Sequence, residues 1–183
     1  EIEFDINNPG NGSLTWYAEN VVTSEEGFEP WDYRGGINVG QILEQSLVKG
    51  VVFIDEHFYI SVGNDRSPII CIFDRDGEFS GEFDQPEDGN NGMSDLAYDG
   101  ELIWGIIGNR VYGFTTEGEV VYNWETPRSK TAITWDSERE LFWLASTVSN
   151  PVAYSADGEL QEDMELNRYG LRIYGLAFLA EDL

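Results

Sequence analysis

The feature that most constrains the fold is a short acidic segment that recurs about every 40 residues. "FDRDGEF" at 73–79 corresponds to "FTTEGEV" at 114–120 and to "YSADGEL" at 154–160, and the glycines of successive copies are 41 and 40 residues apart. Self-similarity at a fixed period of this length is the signature of a repeat architecture. The sequence therefore predicts one structural unit, repeated along the chain.

Each copy has the pattern of four short strands. Apolar residues alternate with period two on both sides of the glycine, which is typical of two strands joined by a hairpin. An inner strand recurs upstream as "VFID" (52–55), "LAYD" (96–99) and "ITWD" (133–136), and each is followed by a second apolar strand. Four strands per unit is the count of a β-propeller blade. We therefore predict an all-β, β-propeller-like fold in a single domain, 1–183, with three complete blades at about 50–84, 94–125 and 131–165.

Two of the copies also resemble a known repeat family. "GNDRSPIICIFDRDGEF" and "GNRVYGFTTEGEVV" are similar to the NHL repeat and its relatives among the TolB-like propellers. The resemblance covers roughly 50–165, and the third copy departs from it with "STVSNPVAY". It implies a propeller fold and no single activity, because such relatives include enzymes, receptors and scaffold domains.

The two ends of the chain predict parts of a fourth blade. "LAFL" at 176–179 corresponds to a fourth inner strand and defines a partial blade at 171–183. At the other end, "NNPGNG" is a strong turn signal between two apolar segments and predicts an N-terminal β-hairpin at 1–17. Propeller rings usually combine strands from both ends in one blade. The hairpin is therefore predicted to complete the partial blade, either within the same molecule or in a neighbouring copy.

The segment 18–49 matches no copy of the repeat and allows two interpretations. Its last part, "NVGQILEQSLVK", is followed by Gly50. It can form a short helix with Asn38 as the N-cap and Gly50 as the C-cap, or a strand of a degenerate blade.

The charge of the chain limits its partners. With 35 acidic and 10 basic residues the formal net charge is −25, while 41% hydrophobic residues indicate a folded protein. Such a field repels nucleic acid and anionic membranes and favours cations or basic partners. No apolar run approaches the ~18 residues of a membrane span, and "EIEFDINNPG" does not resemble a signal peptide. We predict no nucleic acid partner and no membrane insertion.

Few residues offer catalytic chemistry. His57 is the only histidine and lies in a turn, so neither a nucleophile–histidine pair nor a zinc site is predicted. Cys71 is the only cysteine and takes an alternating strand position, where a small buried side chain is expected, with an intermolecular disulfide as the alternative. These residues predict a protein that is not an enzyme.

Carboxylates are the remaining candidate ligands. Asp55, Asp99 and Asp136 recur at the ends of the inner strands, where Asp often accepts backbone N–H bonds in a turn. The resemblance offers a second interpretation, because related lactonases and esterases hold calcium on the propeller axis with inward Asp, Glu and Asn side chains. No other cofactor is predicted. "FDRDGEF" itself is not an EF-hand loop, because positions six and twelve from Asp74 are Phe79 and Gln85 instead of Gly and Glu.

A tryptophan offers a further candidate ligand site. Four of the six tryptophans occupy repeat strand positions, where packing between blades accounts for them. Trp31, in the unmatched "GFEPWDYRGG", is the residue predicted to contact a ligand such as a sugar.

These observations favour a non-enzymatic extracellular or cell-surface module in its mature form. Its predicted partner is a protein, including copies of itself, bound by adhesion or by assembly into an oligomer or filament through strand pairing of the incomplete blade. The alternatives are a calcium-dependent hydrolase or lactonase-type propeller and a carbohydrate- or ligand-binding propeller.

Overall fold

Twelve short strands make up almost all of the regular structure in the part of the chain that the computed structural model describes, residues 35–63, 67–86, 91–164 and 172–180. All but Gly35 and Gly36 of these residues belong to one compact unit, 37–183. The elements are α1 (Val39–Ile42), β1 (Leu47–Ile54), β2 (His57–Gly63), β3 (Ile69–Asp74), β4 (Phe79–Asp84), β5 (Leu96–Tyr98), β6 (Ile103–Ile107), β7 (Arg110–Phe114), β8 (Val120–Glu125), β9 (Ala132–Asp136), β10 (Leu141–Ser146), β11 (Ser149–Tyr154) and β12 (Leu160–Asp163).

The strands form three antiparallel sheets of four, each in simple chain order. We call β1–β4 blade 1, β5–β8 blade 2 and β9–β12 blade 3. Consecutive strands pair throughout, so each blade is a meander that a local hairpin closes at every step. The prediction of an all-β, propeller-like fold with three four-stranded blades is confirmed. No helix in the described ranges is long and apolar enough to cross a membrane.

The recurrent acidic segment forms the same hairpin in every blade. In blade 1 the amide of Gly77 donates to the carbonyl of Asp74 (3.1 Å), the amide of Asp74 donates to the carbonyl of Glu78 (3.0 Å), and Gly77 has a φ of +86°. Blades 2 and 3 repeat both bonds, and a register shift follows in each. A turn followed by a left-handed residue and a bulge is the usual three-residue hairpin, and the left-handed position favours glycine.

Apolar side chains between neighbouring blades form the core. One cluster lies between blades 1 and 2 and includes Ile70 and Phe114. Another lies between blades 2 and 3, where the rings of Trp104 and Phe142 are 4.2 Å apart. The outer face of blade 1 packs on the segment that contains α1. Because each blade buries its apolar faces on its neighbours, a single blade has no core of its own.

The inner strands approach each other closely, and this explains Gly50. A Cβ at this position would lie 2.7 Å from the backbone carbon of Asp95 in the next blade, so only glycine fits. Gly50 lies within β1, and its interpretation as a helix C-cap is wrong. Asn38 is the N-cap, with its side chain accepting from the amide of Gln41, but α1 ends at Ile42.

A second close contact recurs at the outer side of the blades, and we call it the glycine joint. An apolar side chain lies against the turn glycine of the blade that follows it. A Cβ on that glycine would lie 2.5–2.8 Å from the nearest atom of the apolar side chain. The pairs are Ile37 with Gly77, Phe83 with Gly118, and Trp124 with Gly158.

The described C-terminal residues do not form a fourth blade. Residues 172–180 form neither helix nor strand, so the strand predicted from "LAFL" at 176–179 is not observed. A strand requires a hydrogen-bonded neighbour, and the hairpin predicted to supply one, 1–17, lies outside the described residues. The completion of a partial blade at 171–183 therefore stays a prediction.

Candidate functional site

Asp136, one of the three predicted calcium ligands, is a buried hydrogen-bond acceptor. Its side chain is buried, and Oδ1 accepts the backbone amides of Glu138 (3.2 Å) and Arg139 (3.0 Å). Oδ2 accepts the indole Nε1–H of Trp143 at 3.1 Å. Both carboxylate oxygens therefore have partners within the protein.

Asp99 repeats this arrangement in blade 2. Oδ1 accepts the amides of Glu101 (2.8 Å) and Leu102 (2.7 Å), and Oδ2 accepts the indole Nε1–H of Trp104 at 2.7 Å. Trp104 is fully buried, and a buried indole N–H requires an acceptor. The geometry at Asp99 and Asp136 agrees with the interpretation of these aspartates as turn acceptors.

Asp55 has a different environment. It is exposed, and it forms a two-residue turn with Glu56 in which both residues have positive φ (+45° and +64°). Blade 1 has Tyr59 at the strand position of the two buried tryptophans, so Asp55 has no indole to bind. Burial raises the pKa of Tyr98, and the negative charges of Asp55 and Asp99 add to this shift.

The described residues contain no group of three or more His, Cys, Asp or Glu side chains placed to hold a metal ion. Asp55, Asp99 and Asp136 are described residues, and they do not form such a group. A calcium site built from these three aspartates stays a prediction. The carboxylate oxygens of Asp99 and Asp136 already accept hydrogen bonds within the protein.

The acidic turns use a side-chain acceptor that the sequence comparison treated as variable. Asp74 Oδ1 accepts the amides of Asp76 (3.0 Å) and Glu78 (2.8 Å). Thr115 Oγ1 and Ser155 Oγ take the same place and accept the amides of Glu119 and Glu159, each at 3.2 Å. Asp, Thr and Ser are interchangeable here because each offers an oxygen on a short side chain. The carboxylate of Asp74 therefore stabilises a turn.

The remaining sequence candidates show no catalytic arrangement. The Nδ1 of His57 lies 2.8 Å from the backbone oxygen of Asp55, within the same turn. Cys71 is fully buried in blade 1, and burial first and then Glu82 raise its pKa to about 12, so the thiol is protonated and shielded from a partner chain. Trp31 lies outside the described residues.

Asp95 is a structural residue that the sequence analysis missed. Its Oδ1 accepts the amide of Leu96 and its Oδ2 accepts the amide of Ile133, both at 3.0 Å, so one side chain joins the inner strands of blades 2 and 3. Burial raises its pKa, although both hydrogen bonds oppose the shift. Asp95 has no counterpart in the repeat alignment, because Val51 takes the equivalent place in blade 1 and Ala132 takes it in blade 3.

A groove of about 570 Å³ lies between blades 2 and 3 and combines aromatic and acidic side chains. Tyr122 and Trp135 contribute the rings, and four carboxylates surround them: Asp99, Glu101, Glu140 and Asp157. Residues up to 58 positions apart meet here, so no local motif predicts the groove. Its charge agrees with the expectation of a cationic or basic partner.

Blade 3 presents an incomplete glycine joint. By register, Met164 follows Phe83 and Trp124, and its amide donates to the carbonyl of Pro151 at 3.0 Å, which extends the β11–β12 pairing. The turn glycines of the three described blades already have partners. Met164 is left 42% exposed.

Comparisons with known proteins agree with the blade architecture. No protein-family model matches the sequence, and no curated protein matches it. Among solved structures, the chain is similar to the Neurospora crassa Pan2 WD40 domain, with 11% identity and a TM-score of 0.55 over 72% of this chain and 41% of that chain. It is also similar to a chain of a Nidogen/Laminin complex, with 14% identity and a TM-score of 0.61 over 73% of this chain and 52% of that chain.

A third similar structure is a putative exported protein from Bacteroides fragilis NCTC 9343, with 14% identity and a TM-score of 0.50 over 66% of this chain and 39% of that chain. The chain thus spans about half, or less, of the length of these structures. At such identities the likeness shows the β-propeller fold and no activity.

Proposed function

We propose that the chain is a non-enzymatic protein-interaction module of the β-propeller type, which acts outside the cell or at its surface by adhesion or assembly. Two of the similar structures support the direction of this proposal, since one belongs to a Nidogen/Laminin complex and another is described as exported. The non-enzymatic part of the proposal is supported by the candidate catalytic groups themselves. The cysteine is buried, and the histidine and the buried aspartates are hydrogen-bonded within turns.

We also assign the blades to the NHL and TolB-like group. In "GNRVYGF" the side chain of Asn109 donates to the carbonyl of Thr126 (3.3 Å), and its own carbonyl accepts the amide of Thr126 at 2.8 Å. The motif thus connects the start of β7 to the end of β8. This connection explains why an asparagine suits this position of the blade.

The incomplete glycine joint of blade 3 carries the assembly part of the proposal. Phe83 and Trp124 are half-buried against the turn glycine of a following blade, whereas Met164 holds the same position and is 42% exposed. The two occupied joints show which contact suits this position: an apolar side chain against a backbone turn without a Cβ. Met164 therefore belongs to a surface that a further apolar element covers, and blade 3 of a second copy of the chain can supply one.

Light scattering coupled to size-exclusion chromatography tests this assembly at protein concentrations from about 1 to 200 µM. We expect the mass of the unaltered chain to rise with concentration, and Met164→Glu to hold it at the monomer, because a carboxylate placed in an apolar contact is costly to desolvate. Val121→Glu is the matched control, since Val121 is an exposed apolar residue on an outermost strand, β8.

Three results would contradict the proposal. A chain that stays monomeric at every concentration removes the assembly role, and an oligomer that Met164→Glu leaves intact places the contact elsewhere. Equal loss of association in Val121→Glu would mean that added charge, and not the joint, controls association. Circular dichroism spectra of all three proteins confirm that the blades remain folded.

A further inference from the structure

A cleft of about 370 Å³ lies at one edge of blade 3, apart from the aromatic and acidic groove. The connection between β8 and β9 forms one wall, and β11 and β12 form the other. This volume lies at the lower end of the range for small-molecule sites, about 300–1,000 Å³. The lining residues that carry the argument are Arg128, Lys130, Val148, Val152, Leu160 and Asp163.

Lys130 is the unusual residue of the cleft. It is only 4% exposed, although lysine is almost never buried without a partner. Its Nζ donates to Ser149 Oγ at 3.1 Å, and no carboxylate in the described part of the chain lies within ion-pair distance of it. An ammonium group has three N–H donors, and Ser149 accepts one of them, so two can bind a ligand or solvent.

The cleft also differs in charge from the rest of the molecule. The chain has a net charge of −25 and only two lysines, but Arg128 and Lys130 both line this cleft, where Asp163 is the one carboxylate among the described residues. Two cations and one carboxylate leave a local excess of positive charge. A single negative charge on a ligand would balance it.

Apolar side chains stand beside the cations. Val148 is 84% exposed and Leu160 is 59% exposed, so both present bare hydrocarbon at the cleft, and Val152 of β11 adds a buried apolar side chain to its lining. Exposed apolar side chains next to a few convergent polar groups are typical of a ligand site, in which the polar groups fix orientation and the apolar groups add affinity.

We propose that this cleft binds a carboxylate adjacent to an apolar group, with Lys130 and Arg128 binding the carboxylate and Val148 and Leu160 contacting the apolar group. A short branched carboxylic acid has this chemistry, and so does the C-terminal residue of a peptide. The cleft is distinct from the glycine joint, because Met164 does not line it.

Isothermal titration calorimetry with three probes tests the site and separates the two sources of the ligand. The probes are isovalerate, N-acetyl-glycyl-leucine with a free carboxylate, and the C-terminal amide of the same dipeptide. We expect the free dipeptide to bind at least about tenfold more tightly than the amide, the ratio expected for a hydrogen bond to a charged group. Binding of isovalerate as tight as that of the dipeptide indicates a small acid, and much weaker binding indicates a peptide C-terminus; either supports the site.

Variants connect the binding to the named residues. Lys130→Met keeps the length of the side chain without its charge, and we expect it to lower the affinity for the free dipeptide at least about tenfold. Arg128→Gln changes an exposed side chain and is expected to lower the affinity about threefold without affecting the fold. Arg139→Gln, in the turn between β9 and β10, is the control and is expected to bind normally.

Three results would overturn the proposal. They are equal binding of the dipeptide and its amide, unchanged affinity in both Lys130→Met and Arg128→Gln, and no heat from any probe at 10 mM. If Lys130→Met does not fold, Arg128→Gln against Arg139→Gln decides the question alone. Failure here leaves the assembly experiment untouched, since that experiment measures mass without ligand.

Discussion

Each of the two buried tryptophans of blades 2 and 3 depends on one aspartate. Asp99 and Asp136 accept the indole N–H with one oxygen and turn amides with the other, so neither oxygen can be replaced by an amino group without loss. This makes a carboxylate, and not merely a polar side chain, the residue that fits the position.

Asp136→Asn tests this dependence. The amide offers one acceptor oxygen where the carboxylate offers two, so one buried donor loses its partner. We expect the free energy of unfolding to fall by about 1–3 kcal/mol, measured by urea denaturation. Asp55→Asn is the same chemical change at an exposed turn position and is expected to alter stability by less than about 0.5 kcal/mol. Equal effects at the two positions would contradict the assigned roles.

The residue types of the turns were predictable, whereas their partners were not. The left-handed glycine of the acidic turn follows from its recurrence, and Asp136 as a turn acceptor was one of two interpretations. The indole partner was not foreseen, although an aspartate followed by tryptophan five or seven residues later was visible in two copies. Lys130 carried no signal at all, because burial of one lysine depends on how two distant segments meet.

Among the elements, the glycine joint connects one blade to the next. The turn residue of the joint must lack a side chain, because the ring of Phe83 or Trp124 occupies the place where a Cβ would project. The same turn glycine thus has two reasons to be glycine: its positive φ and the close approach of the preceding blade.

Gly118→Ala and Gly108→Ala separate these two reasons. Both glycines have positive φ (+89° and +61°), but a Cβ at Gly118 would lie 2.5 Å from Phe83, whereas a Cβ at Gly108 meets nothing within 4 Å. We expect Gly108→Ala to cost about 1–2 kcal/mol from the backbone alone. Gly118→Ala is expected to cost about 1–3 kcal/mol more from overpacking.

A double variant checks the contact itself. In a Phe83→Ala background the ring is gone, so Gly118→Ala should cost no more than Gly108→Ala does. Urea denaturation of the unaltered chain, Phe83→Ala, Gly118→Ala and the double variant gives the coupling free energy between the two positions. A cost at Gly118 that persists without the ring would show that the backbone, and not the joint, requires glycine there.

Strands were more predictable than the helix. The predicted inner strands "LAYD" and "ITWD" correspond to Leu96–Tyr98 and Ala132–Asp136, because alternation and repetition both point to the same residues. The helix predicted from Asn38 to Gly50 is one turn long, since Glu44 takes a positive φ and Leu47 already belongs to β1. Gly50 is required instead by a tertiary contact, the close approach of Asp95, and no local pattern contains it.

At the scale of the whole molecule, the sequence predicted three blades because each blade repeats the same local signals. The clefts between blades were not predictable, since they bring together residues from different repeats. Net charge is the one global property that the sequence states directly, and it has its own consequence for stability.

We expect the melting temperature to rise as NaCl increases from about 10 mM to 200 mM, because salt screens the mutual repulsion of 35 acidic side chains. Most of the rise belongs in this interval, over which the Debye length falls from about 30 Å to under 10 Å. Differential scanning calorimetry measures it, and KCl at the same ionic strengths is the control, which should give the same rise. A melting temperature that does not change with salt would contradict this expectation.

The same measurement tests the predicted calcium site. At 500 mM NaCl general screening is complete, so a further rise on adding 1 mM CaCl₂, absent with MgCl₂, would report a specific site. Loss of that rise in Asp55→Asn would locate the site at the inner-strand aspartates. No response to calcium would remove the calcium-dependent hydrolase as an alternative function.

The glycine joint has a direction, and Ile37 therefore bears on the symmetry that copies of the chain can adopt. Each blade offers an apolar residue to the blade after it and a glycine to the blade before it, so joints between copies are heterologous and generate rings or open fibres. Gly77 of blade 1, however, is already covered by Ile37 of its own copy. While Ile37 stays there, association through blade 3 pairs like with like, and such a twofold contact ends at a dimer. Release of this one side chain would turn a closed pair into a growing polymer.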